Sequence, residues 1–319
     1  MNRLEFSFGN AVGHFQKTGG PKGFLWKFAL TYALFAIIVQ GLSLYLMAPI
    51  YAAAFNPIVM EDPDVMDQIM LENMGRVLLG YLVSFVFGIL MWVLFEAASQ
   101  RRYMRAEGFG LKFGGDEGRL LVVGLFWLGL IIVLYIVMFL LMIVPITIGA
   151  VLGSDGAIIA GLLTFVLFIA YFVAAIWIVV RFSPAGAMTI RDRKIRFGSA
   201  WRVTKGKVWT LIGSWLVLAL IIMAIIMALY LVFAVMAMLA LMPAFQSGSD
   251  DPAVVLAAFA SPAFIIPAII FGLVYLAFAG GMMHVFGGPA ALAAKTDPNW
   301  ADPNAVSYTH LTLPTKRIV

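Results

Sequence analysis

Residues 182–209, FSPAGAMTIRDRKIRFGSAWRVTKGKVW, form a basic segment that leads directly into a long apolar run. At about 100° per residue, Phe197 and Trp201 share one face of a helix, while Arg202 and Lys205 lie off that face. The pattern predicts a short amphipathic helix at a membrane surface, with its cations beside lipid head groups. The candidates for head-group binding are Arg191, Arg193, Lys194, Arg196, Arg202, Lys205 and Lys207.

The composition extends this prediction to the whole chain. Hydrophobic residues make up 63% of the 319 residues and charged residues only 12%, whereas soluble domains are roughly half apolar and about a quarter charged. Six apolar runs each exceed the roughly 20 residues that cross a bilayer. They cover residues 24–54, 77–98, 120–152, 157–182, 208–242 and 253–286. The sequence therefore predicts an all-α polytopic membrane protein with six transmembrane helices, in a single domain over residues 1–305.

The distribution of charge predicts the orientation. All 21 Lys and Arg residues except Arg76 fall in alternate segments of the chain, and the intervening loops carry acidic residues. Because basic loops stay in the cytoplasm, we expect both termini there, in a bacterial inner membrane. The same rule explains residues 182–209 as an ordinary positive anchor, which is favoured over a specific lipid site. A membrane surface also accounts for the net charge of +5 without a nucleic-acid partner.

Two features are expected at the opposite membrane surface. Asp62 and Pro63 supply an N-cap and a first-turn proline, and Val65 and Ile69 follow at helical spacing opposite acidic residues. This predicts a surface helix whose acidic face is solvated; a divalent-cation site is the alternative. In the sixth apolar run, Pro262 predicts a turn near the membrane surface, because proline interrupts helices.

A short motif recurs before three of the apolar runs. The dipeptide Phe-Gly occurs at residues 8–9, 113–114 and 197–198, each time in a basic segment and followed by Asn, Gly or Ser. These residues suit the start of a helix. The shared position indicates three tandem units, each a short interfacial helix followed by a helical hairpin. Coincidence between short motifs of common residues is the alternative.

The sequence offers few groups for catalysis or metal binding. It contains no cysteine and no HExxH, GxxxxGK[ST], GxSxG or GxGxxG motif. His14 and His284 are far apart in sequence, and neither has a carboxylate in local register that would complete a metal site. We expect them to be interfacial histidines without a special role. We expect no catalytic residue, no bound metal and no cofactor.

Two features of the spans predict contacts between helices. Gly80, Ser84 and Gly88 recur at four-residue spacing, and small residues allow another helix to approach closely. This stripe is expected to pack against a span of the same chain rather than against a second copy. Glu96 continues the stripe, and we hypothesise that it forms an ion pair with Arg181 at the end of the fourth run.

Two segments resemble loops of a known group of proteins. Residues 195–218, IRFGSAWRVTKGKVWTLIGSWLVL, and 101–121, RRYMRAEGFGLKFGGDEGRLL, resemble loops of bacterial six-span inner-membrane proteins of unknown function that are frequent in alphaproteobacteria. A looser similarity exists to the membrane domain that accompanies some glycerophosphodiester phosphodiesterases. The resemblance implies fold and location and carries over no catalytic residue. Residues 183–185, Ser-Pro-Ala, depart from the Leu-Pro turn usual in those proteins.

Residues 306–319, VSYTHLTLPTKRIV, differ in character from the rest and resemble translated adapter sequence at the end of a reading frame. We expect a non-native tail, with an authentic C-terminus as the alternative. For the remainder, the sequence favours a non-catalytic integral inner-membrane protein that interacts with phospholipid or membrane partners. A transporter or channel for an apolar or amphipathic solute is the alternative, because six long helices in a threefold repeat could enclose a path.

Overall fold

Helices make up 84% of the structure, and no strand occurs among the residues it describes. This computed structural model describes residues 4–54, 56, 59, 63–248 and 252–300. Six helices are long and apolar enough to cross a membrane, which confirms the predicted all-α membrane fold. In chain order the helices are α1 (Phe8–Val12), α2 (Phe24–Ala54), α3 (Pro63–Glu72), α4 (Met74–Arg105), α5 (Gly115–Gly153), α6 (Gly156–Asp192), α7 (Ala200–Val203), α8 (Val208–Gln246), α9 (Pro252–Phe259) and α10 (Pro262–Lys295).

The spans follow the predicted apolar runs and extend beyond several of them. α4 continues past its apolar run to Arg105, where Ala106 takes a left-handed conformation (φ 53°) and ends the helix. α5 and α6 lie in one continuous helical segment that Gly153 interrupts with non-helical backbone (φ 59°, ψ −139°), a conformation that glycine adopts readily. The turn predicted near Pro262 is confirmed, because α9 ends just before it and Pro262 opens α10.

α10 lies at the centre of the bundle. It packs against α2, α8 and α4, and α2 in turn packs along α4. At Gly280 the backbones of α10 and α2 approach so closely that a Cβ atom would lie 2.6 Å from Cβ of Tyr32. The hairpin of α5 and α6 packs at the edge of the bundle, and most of its large apolar side chains are exposed. In a bilayer these exposed faces contact lipid chains.

The main packed core lies at one end of the bundle, the end that carries most Lys and Arg residues and is here called the basic end. The end of α4, the start of α5, the last turns of α6, α7 and the end of α10 converge there on a core that includes Leu120, Met188 and Ala291. Arg101 of α4 forms a buried ion pair with Glu117 of α5. The basic end therefore fixes how the spans are placed relative to one another.

The interfacial predictions have mixed outcomes. α3 confirms the helix predicted in the first acidic loop, and its position on the membrane surface stays a prediction. Its predicted N-cap, Asp62, lies outside the described residues, and so does the predicted tail over residues 306–319. Short helices accompany the first and third Phe-Gly dipeptides, as α1 and α7. The second dipeptide leads into α5 without a separate short helix, so this part of the repeat prediction is wrong.

Candidate ligand-binding cavities

A cleft of about 1020 Å³, here called the first cavity, lies between α2 and α8. It forms because both helices pack on α10 and leave space between them. Its walls are almost entirely apolar and include Ala29, Leu218, Ile222 and Phe278. Residues 12, 13, 15, 16 and 18, at the end of α1 and just after it, line it at the basic end. The cleft is large enough for a small-molecule ligand or part of a lipid.

Arg102 is the one charged residue among those that line the first cavity. Its Nε atom donates to Oγ1 of Thr18 at 2.9 Å, and Nη1 donates to the backbone oxygen of Glu107 at 3.3 Å. The guanidinium carbon lies 5.1 Å from the centroid of the Phe24 ring. No carboxylate of the described residues forms an ion pair with Arg102. Its charge is therefore oriented by neutral groups and is available to an anion.

Two histidines stack on the same tyrosine beside this cavity. The ring centroids of His14 and Tyr103 lie 5.2 Å apart, and those of Tyr103 and His284 lie 4.5 Å apart. Nδ1 of His284 lies 2.8 Å from Oγ of Ser99. His14 and His284 lie far apart in sequence but are 0% and 1% exposed and belong to one cluster. That they are interfacial histidines without a special role stays a prediction.

The His14 imidazole is held in its neutral form. Neither of its ring nitrogens has a hydrogen-bond partner, although both are buried. Burial, followed by the positive charges of Lys295 and Lys17, lowers the pKa of His14 from 6.5 to about 4. The ring therefore packs on Tyr103 as an uncharged group at neutral pH, and acidification works against this packing.

A second cavity, of about 800 Å³, receives side chains from all six spans. Its polar residues include Glu96 and Gln100, one turn apart on α4. Oε1 of Glu96 accepts a hydrogen bond from Nε2 of Gln100 at 2.8 Å. Three tryptophans and three tyrosines supply much of the remaining surface: Trp92, Trp127, Trp215, Tyr32, Tyr135 and Tyr171. The cavity thus combines one carboxylate with several aromatic rings.

The hypothesised ion pair between Glu96 and Arg181 is wrong. The guanidinium carbon of Arg181 lies 4.5 Å from the centroid of the Trp201 ring instead. Glu96 faces Gly186, since a Cβ atom on that glycine would lie 3.4 Å from Oε1 of Glu96. Gly186 follows a turn in α6 that separates it from Arg181. The turn therefore directs Arg181 toward α7 and leaves Glu96 beside the second cavity.

The seven candidate head-group cations fall into two groups. Arg191 forms ion pairs with Asp192 at 2.7 Å and with Asp297 at 3.4 Å, and Arg196 pairs with Asp192 at 3.0 Å. Lys207 donates to backbone carbonyls at the end of α10 at 3.2 and 3.3 Å, and burial lowers its pKa. The remaining side chains are exposed and form no hydrogen bond or ion pair within the described residues: Arg193, Lys194, Arg202 and Lys205.

Part of the small-residue stripe on α4 packs against α2. Oγ of Ser84 donates to Oγ of Ser43 at 3.1 Å, and a Cβ atom on Gly80 would lie 3.2 Å from Cγ of Met47. Gly88 has no neighbour within 4 Å of such an atom. Gly80 and Ser84 therefore contact another span of the same chain, whereas Gly88 does not take part in this contact.

Neither a metal site nor similarity to another protein indicates a function beyond what this geometry suggests. Within residues 4–54, 56, 59, 63–248 and 252–300, no group of three or more His, Cys, Asp or Glu side chains could hold a metal ion. Comparison of the chain with family models, curated proteins and solved structures found no match. The two cavities are therefore the features from which a function can be argued.

Neither cavity follows from the sequence pattern. The available signal for the second cavity is Glu96, since a carboxylate inside an apolar run indicates a functional site. Trp92, one turn before it, adds an aromatic ring on the same side of α4. The first cavity has a weaker signal in Arg102, which lies beyond the predicted end of the second run at residue 98 and would be counted with the other basic anchors.

Proposed function

We propose that this is a bacterial inner-membrane protein that holds an anionic phospholipid in the first cavity. The observation that carries the proposal is the apolar cleft with a single guanidinium, that of Arg102, at its basic end. Acyl chains leave water favourably for apolar walls, and a guanidinium binds phosphate through charge-assisted hydrogen bonds. Since Arg102 has no carboxylate partner within the described residues, a phosphate would supply its counter-charge.

We also propose that the basic end faces the cytoplasm. The alternation of charge along the chain supports this orientation through the positive-inside rule, and so does the resemblance of residues 101–121 and 195–218 to bacterial inner-membrane proteins. The absence of cysteine from the sequence makes single-cysteine labelling clean. In intact cells, a membrane-impermeant maleimide should label Gln68→Cys on α3 and spare Lys205→Cys. The reverse pattern contradicts the orientation.

The proposed role requires no catalytic residue, because the lipid is held and left unchanged. A transporter for an amphipathic solute is the second candidate. It is favoured by the second cavity, which receives side chains from all six spans. Transfer of a fluorescent lipid between the leaflets of proteoliposomes separates the two candidates. A protein that retains lipid without accelerating this transfer supports the non-transporting role.

Native mass spectrometry of the purified protein tests the lipid proposal. Protein equilibrated with equal amounts of phosphatidylglycerol and phosphatidylcholine should retain phosphatidylglycerol preferentially. Ala277→Phe adds a ring to the lining of the first cavity and should reduce retained lipid several-fold. Ala228→Phe is the matched control, because Ala228 is an exposed residue of α8 outside that lining.

Arg102→Gln separates the head-group contact from the apolar contact. It should remove the preference for phosphatidylglycerol while total retained lipid changes little, because the apolar walls remain. The preference is a ratio measured within one sample, so it does not depend on how much protein folds. Equal retention of both lipids by the wild type, or unchanged retention by Ala277→Phe, contradicts the proposal.

A further inference from the structure

The second cavity differs in chemistry from the first. We propose that it is a binding site for a monovalent organic cation, held between Glu96 and the aromatic side chains of the surrounding spans. No residue lines both cavities. The proposed cation site therefore does not depend on whether a lipid occupies the first cavity.

Glu96 supplies the negative charge when a cation is bound. It lies within the span α4, and its carboxylate accepts a hydrogen bond from Gln100. No Lys, Arg or His of the described residues forms an ion pair with it. Arg181, the partner expected from the sequence, lies against Trp201 instead. A charge without a partner is strongly unfavourable inside a membrane protein. A bound cation would supply the partner that the chain does not.

Gln100 provides a second, independent indication of a ligand. The residue is 3% exposed and lines the cavity beside Glu96. Its Nε2 atom donates to Glu96, whereas its Oε1 atom is buried without a hydrogen-bond partner. Buried side-chain oxygens are nearly always hydrogen-bonded in folded proteins. If the Gln100 amide turned toward the cavity, this oxygen could accept from an N–H group or from the polarised C–H groups next to a cationic centre.

The aromatic walls suit a cation with an apolar surface. Indole and phenol rings attract cations through the negative face of their π-systems, and tryptophan does so best. The cavity receives one tryptophan from each of three different spans, α4, α5 and α8. These rings can surround a bulky cation while the carboxylate neutralises it. The tryptophans concerned are Trp92, Trp127 and Trp215.

Several donors in the lining already have acceptors, which argues against an anionic ligand. Nε1 of Trp215 donates to a backbone carbonyl at 2.9 Å, and the Tyr171 hydroxyl donates to another at 3.1 Å. The Ser183 hydroxyl donates to a third carbonyl at 2.8 Å. An anion would find these donors engaged and would be repelled by Glu96. The lining is therefore selective for positive charge.

The size of the cavity selects an organic cation over a metal ion. Its volume of about 800 Å³ lies in the range of small-molecule sites. A metal ion would need several ligating side chains around it, and within the part of the chain that the structure describes no such group of three occurs. A delocalised or alkylated cation fills the space and contacts the rings.

Tetraphenylphosphonium and tetraphenylborate, which match in size and shape and differ in charge, test the proposal. Full-length protein in phosphatidylcholine nanodiscs is titrated with each ion, empty nanodiscs are subtracted, and tryptophan fluorescence is followed. Tetraphenylphosphonium should quench saturably and tetraphenylborate should not. Glu96→Gln should weaken tetraphenylphosphonium binding by about tenfold or more, the size of a lost charge contact. Glu72→Gln, the same change on the exposed helix α3, should leave it unchanged.

A second variant keeps the test decisive if Glu96→Gln folds poorly. Trp127→Leu removes one wall ring and retains the carboxylate, so it should weaken tetraphenylphosphonium binding by a smaller factor. Ala277→Phe in the first cavity should leave cation binding unchanged whatever it does to retained lipid. Quenching no stronger than in empty nanodiscs overturns the proposal. Equal binding of both ions also overturns it. So does an affinity for tetraphenylphosphonium that is the same in the wild type, Glu96→Gln and Trp127→Leu.

Discussion

The ring of His284 lies against the ring of Tyr103, with centroids 4.5 Å apart and planes inclined by 17°. The Tyr103 hydroxyl also donates to the backbone oxygen of His284 at 2.8 Å. Tyr103 lies at the end of α4 and His284 lies in α10, so this contact joins two spans that are 181 residues apart in sequence. Both side chains are buried, beside the basic end of the first cavity.

Removing the Tyr103 hydroxyl should cost less stability than removing the ring. Tyr103→Phe loses one hydrogen bond, which contributes about 1 kcal/mol to the free energy of unfolding. Tyr103→Leu also loses the stacking on both histidines, and we expect a cost at least twice as large. Unfolding of the purified protein in mixed micelles of increasing dodecyl sulfate content measures both values. Equal costs for the two variants would show that the stack does not stabilise the fold.

Acidification should destabilise the protein through His14. Its pKa is lowered to about 4 in the folded protein from an ordinary 6.5. Between these values the unfolded chain binds more protons than the folded protein, so stability falls as the pH falls from about 6.5 to about 4. Below that range, His14 has no further effect on how stability depends on pH. The loss should approach about 3 kcal/mol. The neutral variant His14→Gln should lack this component, and parallel pH profiles for the two proteins would contradict the prediction.

The ion pair between Arg101 and Glu117 should be sensitive to the loss of one partner. The two side chains are 4% and 7% exposed. Glu117→Gln leaves the Arg101 charge without its nearest counter-charge, which should cost about 3 kcal/mol of unfolding free energy. Replacing both residues, as Arg101→Met with Glu117→Leu, should recover much of this loss. Lys112→Gln is the control, because Lys112 is 64% exposed and its pairing with Glu107 contributes little.

A methyl group at Gly280 should separate α10 from α2. The added Cβ atom would meet Cβ of Tyr32 at 2.6 Å, so one of the two backbones must move. We expect Gly280→Ala to cost about 1–3 kcal/mol in the free energy of unfolding. Gly272→Ala in the same helix has no neighbour within 4 Å of the new atom and should be neutral or slightly stabilising, because alanine favours helix. Similar unfolding curves for the two variants would contradict the close approach.

The candidate sites show where prediction from the sequence ends. The small-residue stripe correctly indicated that Gly80 and Ser84 face another span, because their spacing defines one face of α4. Glu96 was predicted to continue this stripe and to pair with Arg181, and the assigned partner was wrong. The partner depends on the turn in α6 after Arg181, which rotates the following residues away from the preceding ones. Such a rotation is not visible in hydropathy or charge.

The sequence by itself determined that this is a six-span helical membrane protein, and it located the six spans and the turn at Pro262. Hydrophobic length and proline position are properties of contiguous residues, so they can be recognised without knowledge of packing. Only the tertiary structure decided that His14 and His284 meet on Tyr103 and that Glu96 borders an aromatic cavity. These contacts depend on how each helix is rotated about its axis and on which neighbour it packs against, which many distant residues determine together.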